Sequence, residues 1–182
     1  MPLTIAAETI ERARAGGEGL DRLIGAVWPE AYRLAAAILR DRWLAEDAAQ
    51  EACAAIARFL PSLKNSSAFV AWSYTIVARH ALETLRRQPR MQSLDSIADR
   101  GISFDRSGAL DLETALAKLT PLQRTLVLLH YYAGLPSRQI AGATSLAPST
   151  VRFHLMLARR VLRNALAVTT QSTYDEVLSD VR

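Results

Sequence analysis

The sequence predicts an all-α protein made of two small helical domains that a flexible linker joins. Apolar residues recur at the spacing of helices along nearly the whole chain, and no convincing run alternates with the period of two that strands require. A chain of 182 residues has room for two small domains at most. One stretch with weak periodicity and balanced charge, which contains Pro89, Gly101 and Gly108, divides the chain. We therefore expect a first domain over residues 1–87, a linker over 88–110, a second domain over 111–167 and a tail over 168–182.

The first domain is predicted to begin with a short amphipathic helix over residues 4–15, which the pair Gly16-Gly17 ends. A three-helix unit follows it. The first helix of this unit carries apolar residues at helical spacing from Leu23 to Ile38, and the second helix is stopped by Pro61. The three helices are predicted over residues 20–41, 43–60 and 67–87.

The second domain is predicted to contain four helices, two of which begin at recognisable caps. Thr120 followed by Pro121 is a typical helix start, and Ser137 is a good N-cap residue. The tail after residue 167 is rich in Thr, Gln and Ser, and it forms either a small terminal helix or no regular structure. The four helices are predicted over residues 111–119, 121–133, 137–144 and 148–167.

The last two of these helices have the layout of a helix-turn-helix, in which a short helix, a tight turn and a longer helix follow one another. In the longer helix a buried stripe is predicted from Val151 to Ala165, with apolar residues spaced by 4, 3, 4 and 3. The opposite face is free to enter the major groove of DNA. Arg152 is the leading candidate for a base contact, because a guanidinium can pair with both O6 and N7 of guanine. Secondary candidates are Ser149, Thr150, which can contact phosphate, and Phe153, which can touch a thymine methyl or simply pack.

Positive charge is concentrated in the second domain. Residues 111–166 hold seven Lys and Arg against two Asp and Glu, and the 61 residues from Thr114 to Tyr174 contain no acidic side chain. A polyanion is the natural partner of such a segment. The charge alone also fits a basic face that only keeps the domain soluble, but in combination with the helix-turn-helix it predicts DNA binding.

Composition and residue spacing exclude several classes of protein. No window approaches the roughly 18 apolar residues of a membrane span, and residues 1–17 carry charges where a signal peptide needs an apolar run, so we expect a cytoplasmic protein without membrane insertion. Cys53 is the single cysteine, which excludes an internal disulfide and a cysteine metal site, and it is predicted to be buried. The three histidines, His80, His130 and His154, are scattered, and no carboxylate pair or phosphate-binding glycine loop accompanies them. An enzyme, a metal and a cofactor are therefore not expected.

Two motifs of the first domain resemble region 2 of bacterial sigma factors, specifically those of the extracytoplasmic-function group. They are LAEDAAQEA over residues 44–52 and FVAWSYTIVARHALETLRR over residues 69–87. The resemblance extends over about residues 23–166, in the order of the family, and leaves no room for the region 3 that larger sigma factors carry.

The second domain independently resembles sigma region 4. The motifs are LAKLTPLQRTLVLLHYYAGL over residues 116–135, QIA over 139–141 and STVR over 149–152. The chain departs from the family at Ser145, which stands where the turn commonly has glycine. If the turn needs a left-handed backbone, Ser145 must accept it at a cost of about 1 kcal/mol.

The resemblance implies a dissociable promoter-specificity subunit of bacterial RNA polymerase, which performs no covalent chemistry. In the family, the clamp coiled coil of the largest polymerase subunit binds the helix that here bears Asp47, Gln50 and Glu51. Their spacing of 3 and 4 puts these residues on one helix face. The flap of the second subunit, promoter DNA and an anti-sigma factor are the other partners that the resemblance implies.

The resemblance also implies which residues bind promoter DNA. The loop over residues 63–68 would hold a flipped base of the minus-ten element, and the aromatic and basic residues of the following helix suit single-stranded DNA. Trp72 is assigned mainly to structure. The candidates for the minus-ten element are Lys64, Asn65, Ser66, Trp72, Tyr74, Arg79, Arg86 and Arg87. The candidates for the minus-thirty-five element are Arg124, Arg138, Ser149, Thr150, Arg152, Phe153, Met156, Arg159 and Arg160.

Two other functions remain open from the sequence. A helix-turn-helix regulator acting without core polymerase would have no use for the face that contains Asp47, Gln50 and Glu51. A sigma-like decoy that binds an anti-sigma factor would leave the basic second domain without a role. Binding to core polymerase and to DNA distinguishes the three functions.

Overall fold

The computed structural model describes the backbone of residues 3–87 and 109–179, and the side chains of residues 3–87 and 112–167. All regular structure in these ranges is helical, which confirms the predicted all-α class. The predicted linker, apart from its last two residues, lies outside the described residues, as does the end of the tail.

The first unit contains α1 (Ala7–Arg14), α2 (Gly17–Leu39), α3 (Arg42–Phe59), two 3-10 turns (Leu60–Ser62 and Ser66–Ala68) and α4 (Phe69–Arg87). The sequence predicted a three-helix unit preceded by a separate short helix. The structure instead shows four helices packed as one unit. Helix α1 packs on α2 through Ile10 and Ala13, and both side chains are buried in the common core. Pro61 follows the end of α3, as predicted.

The turn from α1 to α2 is tight. The chain passes through Gly16 and Gly17, whose positive φ values of 81° and 58° favour glycine. A methyl group on Gly19 would lie 2.8 Å from the backbone oxygen of Arg12, so the two helices touch backbone to backbone. Helix α1 is therefore held closely against α2.

The second unit contains α5 (Ala109–Ala117), α6 (Pro121–Val127), a π-helical turn (Leu128–Tyr132), α7 (Ser137–Thr144) and α8 (Pro148–Ser179). Thr120 caps α6 as predicted, because its hydroxyl accepts a hydrogen bond from the backbone N–H of Gln123 at 3.2 Å and the Gln123 side chain returns the bond. Ser137 is not the N-cap of α7 but its first residue. The N-cap position belongs to Pro136, whose ring has no acceptor to offer.

Two stretches of the second unit differ from the prediction. The single helix predicted over residues 121–133 is α6 followed by the π-helical turn, in which the N–H of Ala133 donates to the carbonyl of Leu128 at 3.0 Å, five residues earlier. Helix α8 does not end near residue 167 but continues to Ser179. Most of the predicted tail is therefore part of α8.

Helices α7 and α8 form the predicted helix-turn-helix. The turn passes through Ser145, which adopts a left-handed conformation with φ 58° and ψ 32°. Ser145 thus occupies a conformation that glycine adopts without strain. This was anticipated, because Ser145 stands where the turn of the family commonly has glycine.

The two units are in contact, and their buried side chains form one continuous core. Helix α4 lies against α7, and α2 lies against α6. Cys53 is buried in the first unit, as predicted, and burial raises the pKa of its thiol to about 11. No helix of the described ranges is both long and apolar enough to cross a bilayer.

Candidate nucleic-acid and partner interfaces

The outward face of α8 carries the residues expected to read DNA. Val151, Leu155 and Ala158 are buried as predicted, so this face of α8 packs on the core and the opposite face is exposed to solvent. Phe153 is 54% exposed, which excludes the alternative that its ring is packed inside the protein. The exposed face contains Ser149, Arg152, Phe153, Met156, Arg159 and Arg160, and Thr150 is half-buried at its edge.

Phe153 and Met156 form an apolar patch on this face between arginines. They lie three residues apart, and each is 54% exposed. Large apolar side chains that reach solvent next to cations are suited to thymine methyl groups in a groove whose phosphates the arginines contact. The surface therefore combines candidates for base contacts and for phosphate contacts.

Arg124 does not belong to this face, contrary to the expectation from sequence. It is only 6% exposed, and its Nε and Nη1 have no hydrogen-bond partner among the described residues. Burial, with a smaller contribution from the charge of Arg40, lowers the pKa of Arg124 to about 10. Arg138 on α7, by contrast, is exposed as expected.

The exposed face of α3 carries Asp47 and Gln50 in open solvent. Trp43, four residues before Asp47, extends this face and is 60% exposed, with the guanidinium of Arg42 lying 5.1 Å from its ring centre. Sequence reasoning missed Trp43, although its spacing from Asp47 indicates the same face. Glu51 is also exposed, and its carboxylate pairs with Nδ1 of His80 on α4 at 3.2 Å.

The loop between the two 3-10 turns presents Lys64 and Asn65 at its tip, and both are exposed. The Asn65 side-chain oxygen is already used, because it accepts hydrogen bonds from the backbone N–H (2.9 Å) and the hydroxyl (2.8 Å) of Ser67. The hydroxyl of Ser66 donates to the carboxylate of Glu11.

A cleft of about 330 Å³ lies between the end of α3 and the middle of α4. The Arg58 guanidinium lies 4.6 Å from the ring centre of Phe59, and Trp72 is half-buried with its ring 6.0 Å from that of Phe69. Aromatic rings beside guanidinium groups form a surface on which nucleic-acid bases can stack and phosphates can bind. Sequence reasoning had found Trp72 and Arg79 but not Arg58 or Phe59. The cleft is lined by Ala55, Arg58, Phe59, Ser62, Trp72, Ile76, Arg79 and His80.

Tyr74 is not at the surface with the other candidates of α4. It is 2% exposed, and its hydroxyl accepts a hydrogen bond from the backbone N–H of Leu3 at 2.9 Å. Its position on α4 turns it toward α2, so it belongs to the core and cannot contact DNA in this arrangement. Burial raises the pKa of Tyr74 above its ordinary value.

Arg79 is held by the helix-turn-helix. Its Nη2 donates to the carbonyl of Gly142 at 2.8 Å, and its Nε donates to that of Ala143 at 3.3 Å. These carbonyls belong to the last turn of α7, where a cation is favoured. Arg86 and Arg87 are exposed at the end of α4, and Arg87 pairs with Glu83 at 2.6 Å.

A buried carboxylate forms the second polar contact between the units. Glu30 is 5% exposed, and it accepts hydrogen bonds from Tyr132 of the π-helical turn at 2.5 Å and from Tyr74 at 3.5 Å. It also forms an ion pair with Arg33. The rings of Tyr74 and Tyr132 meet edge to face, with their centres 6.1 Å apart. Burial, with the carboxylate beside it, raises the pKa of Tyr132.

Comparisons with known proteins give a consistent result. Residues 23–91 match the family "Sigma-70 region 2", and residues 109–162 match "Sigma-70, region 4". Among curated proteins, RNA polymerase sigma factor SigV of Bacillus subtilis is 28% identical over 138 residues, which are 72% of this chain and 81% of that protein.

Two solved structures share the fold. The sigma factor RpoE from Bartonella quintana, solved in complex with the anti-sigma factor NepR, has a TM-score of 0.68 at 21% identity and covers 84% of this chain and 99% of its own. CnrH, solved in complex with the cytosolic domain of CnrY, has a TM-score of 0.60 at 18% identity and covers 89% of this chain and 97% of its own. The two-unit arrangement of helices is thus one that known proteins adopt.

Proposed function

Because this chain belongs to the sigma-70 family and is a sigma factor, we propose that it directs RNA polymerase to promoters through three separate surfaces. The exposed face of α3 binds core polymerase, the loop tip and cleft of the first unit bind the minus-ten element, and α8 reads the minus-thirty-five element. The observation that carries the proposal is the match to regions 2 and 4, in family order, across most of the chain. The protein works in the cytoplasm, where core polymerase and promoters are found.

The polymerase surface is the α3 face that contains Trp43, Asp47 and Gln50. Two polar side chains and an exposed aromatic ring on one face give a partner both charge complementarity and a large apolar contact. Reversing the charge of Asp47 and Glu51 together, as D47R/E51R, is expected to abolish binding to core polymerase while circular dichroism stays unchanged. The matched control is E18R/D21R, which reverses the same two charge types on the exposed start of α2. Retained core binding by D47R/E51R would contradict this surface.

The minus-ten surface combines the loop tip, Lys64 and Asn65, with the rings and guanidinium groups of the cleft. A flipped base needs a stacking partner and its phosphates need cations, and the first unit carries both within one region. Tyr74 is omitted from this surface because of its burial. Phe59→Ala is expected to weaken binding of a single-stranded minus-ten oligonucleotide by about 1–3 kcal/mol, whereas Trp43→Ala, which removes an exposed ring elsewhere, leaves it unchanged.

The minus-thirty-five surface is the exposed face of α8. Arg152→Ala is expected to cost about 1–3 kcal/mol at one or two base positions, because it removes a base contact. Arg159→Ala, at a position proposed to contact phosphate, is the matched control and weakens all sequences uniformly. An equal loss from Arg152→Ala on every sequence would contradict the proposed base contact. Affinity of the full chain for duplex DNA is expected to fall with rising salt, because the release of counterions into a more concentrated solution gains less entropy.

An anti-sigma factor is a further proposed partner. Two proteins of the same fold were solved with such a partner or with the cytosolic domain of a second protein, and both cover most of this chain. We expect a partner of this class to bind across both units. The test is to co-purify the chain with its binding partner. The partner is expected to block transcription directed by this chain in vitro and to leave transcription directed by a second sigma factor unchanged.

The first experiment is run-off transcription with purified core polymerase on a pooled library of promoter fragments. Transcripts that require this protein support the proposal and yield the promoter sequences. Binding to DNA without binding to core polymerase would instead support the regulator, and binding to an anti-sigma factor without binding to DNA would support the decoy.

A further inference from the structure

We propose that helix α1, which lies before the residues matched by the family, positions the loop that reads the minus-ten element. The inference rests on the proposed function of that loop. Helix α1 spans Ala7–Arg14, whereas the region 2 match begins at residue 23. Two side chains of α1 form hydrogen bonds with the loop, one at each end of the exposed tip.

The first grip is made by Arg14. Its Nη2 donates a hydrogen bond to the backbone carbonyl of Leu63, the residue that precedes the loop tip. Its Nη1 forms an ion pair with Oε2 of Glu11 on the same helix at 3.0 Å. One guanidinium therefore connects the backbone of the loop to a carboxylate of α1 through two nitrogens of a rigid planar fork, a geometry that a flexible ammonium does not fix.

The second grip is made by Glu11. Its other oxygen, Oε1, accepts a hydrogen bond from the hydroxyl of Ser66, immediately after the loop tip. The four groups thus form a continuous chain from the Leu63 carbonyl through Arg14 and Glu11 to the Ser66 hydroxyl. Lys64 and Asn65 lie between the two gripped positions, and both are exposed.

Helix α1, which carries Arg14 and Glu11, is itself held in place by packing. Ile10 and Ala13 are buried, and α1 touches the start of α2 at Gly19, where no side chain fits. The Arg14 contact is partly shielded from water, because the Arg14 side chain is 25% exposed and its Nε is buried, whereas the contact between Glu11 and Ser66 is exposed. A hydrogen bond to a backbone carbonyl in such a place restrains the loop more than an exposed ion pair does.

The consequence is that α1 sets base selectivity without touching DNA. Lys64 and Asn65 can distinguish bases only if the backbone between Leu63 and Ser66 keeps one conformation, because base discrimination depends on the placement of donors and acceptors. Arg14 and Glu11 are therefore positioning residues. Their loss should lower the preference of the holoenzyme among promoter sequences more than its overall affinity.

The experiment uses the full chain and compares Arg14→Ala with Arg12→Ala. Arg12 is the matched control, because it is an arginine on the same helix that forms an ion pair with Glu8 and is 72% exposed. Holoenzyme made with each variant is tested on promoters that differ by one base at each position of the minus-ten element. We expect Arg14→Ala to reduce the affinity ratio between the preferred and the second base by about threefold or more, while Arg12→Ala keeps it. Arg14→Lys retains the charge but not the planar guanidinium, and it is expected to reduce this affinity ratio as Arg14→Ala does.

Amide hydrogen exchange of the free chain measures the grip independently of transcription. We expect faster exchange in residues 63–68 for Arg14→Ala than for Arg12→Ala, with the core amides of α2 unchanged. Unchanged exchange, an unchanged affinity ratio, or equal losses in both variants would overturn the inference. A wild-type chain that binds no promoter with core polymerase would overturn the proposed function, and the role in selectivity with it, even where the exchange result shows that the grip exists. If Arg14→Ala fails to fold, Arg14→Lys gives the same comparison.

Discussion

Tyr132 donates a hydrogen bond of 2.5 Å to the carboxylate of Glu30, although the two residues are 102 positions apart and belong to different helical units. The bond joins the π-helical turn, which leads to the helix-turn-helix, to the middle of α2. With the contact of Arg79 to the end of α7, it is one of two polar attachments described between the units. These two polar attachments supplement the continuous apolar core that the two units share.

Removing the Tyr132 hydroxyl is expected to loosen the docked arrangement. A hydrogen bond to a buried carboxylate contributes about 1.5–3 kcal/mol, so Tyr132→Phe shifts the docking equilibrium by tenfold or more and raises the radius of gyration measured by X-ray scattering. Tyr74→Phe is the matched control, because it removes a hydroxyl from the same carboxylate but within the first unit. An equal radius of gyration in Tyr132→Phe and the wild type would contradict the role of this bond.

Loosening the units is also expected to increase the affinity of the free chain for single-stranded DNA. Arg79 lines the cleft of the first unit, and two of its five guanidinium donors are used by Gly142 and Ala143 while the units are docked, so fewer donors are left for a phosphate. Tyr132→Phe should therefore bind a minus-ten oligonucleotide up to about tenfold more tightly, since a larger fraction of the chain is competent to bind. Fluorescence anisotropy measures the change. A weaker affinity would show that docking and DNA binding do not compete.

Replacing the buried Arg124 is expected to stabilise the protein. Its pKa is lowered to about 10, so the fold disfavours the charged form at neutral pH, and this cost diminishes only as the pH rises from about 10 toward the ordinary value of 12.5. Arg124→Met keeps the apolar stem and removes two buried donors without partners among the described residues, which should raise the free energy of unfolding by about 1 kcal/mol or more at pH 7. Arg138→Met, on an exposed arginine, is expected to change it by less than about 0.5 kcal/mol. Chemical denaturation measures both, and destabilisation by Arg124→Met would show that its charge has a partner in solution.

The left-handed serine in the helix-turn-helix gives a further stability prediction. Ser145 adopts φ 58°, where glycine avoids the clash of the Cβ atom with the backbone. Ser145→Gly is therefore expected to raise the free energy of unfolding by about 0.5–1 kcal/mol. Ser137→Gly, within the first turn of α7, is expected to lower it, because glycine has more freedom to lose there. A melting temperature that rises in Ser145→Gly and falls in Ser137→Gly would support backbone strain at Ser145. A lower melting temperature in Ser145→Gly would argue against it.

The helices themselves could be predicted from the sequence because their apolar stripes are local patterns. The spacing from Val151 to Ala165 predicted α8 and most of the face it buries, although Leu162 of this stripe is only half-buried, and the resemblance to sigma factors identified the order of the two units. The spacing did not reveal that α1 joins the core of the first unit, since burial of Ile10 and Ala13 depends on where α2 lies.

The wrong site predictions concern residues whose burial depends on distant contacts. Tyr74 and Arg124 are residue types common at DNA surfaces, but Tyr74 lies in the core against α2 and Arg124 is buried as well. Phe59 was missed because a single aromatic residue at the end of a helix has no periodic signal, and its position in the cleft depends on where α4 packs.

The π-helical turn makes the contact between the units sensitive to the number of residues in the turn. A π turn holds one residue more than an α turn, so one inserted codon is sufficient to create it and one deleted codon to remove it. The turn contains two neighbouring tyrosines, of which Tyr131 is exposed and Tyr132 donates a hydrogen bond to Glu30. One inserted or deleted codon in this turn would therefore move Tyr132 relative to Glu30 while the helices on either side keep their sequences.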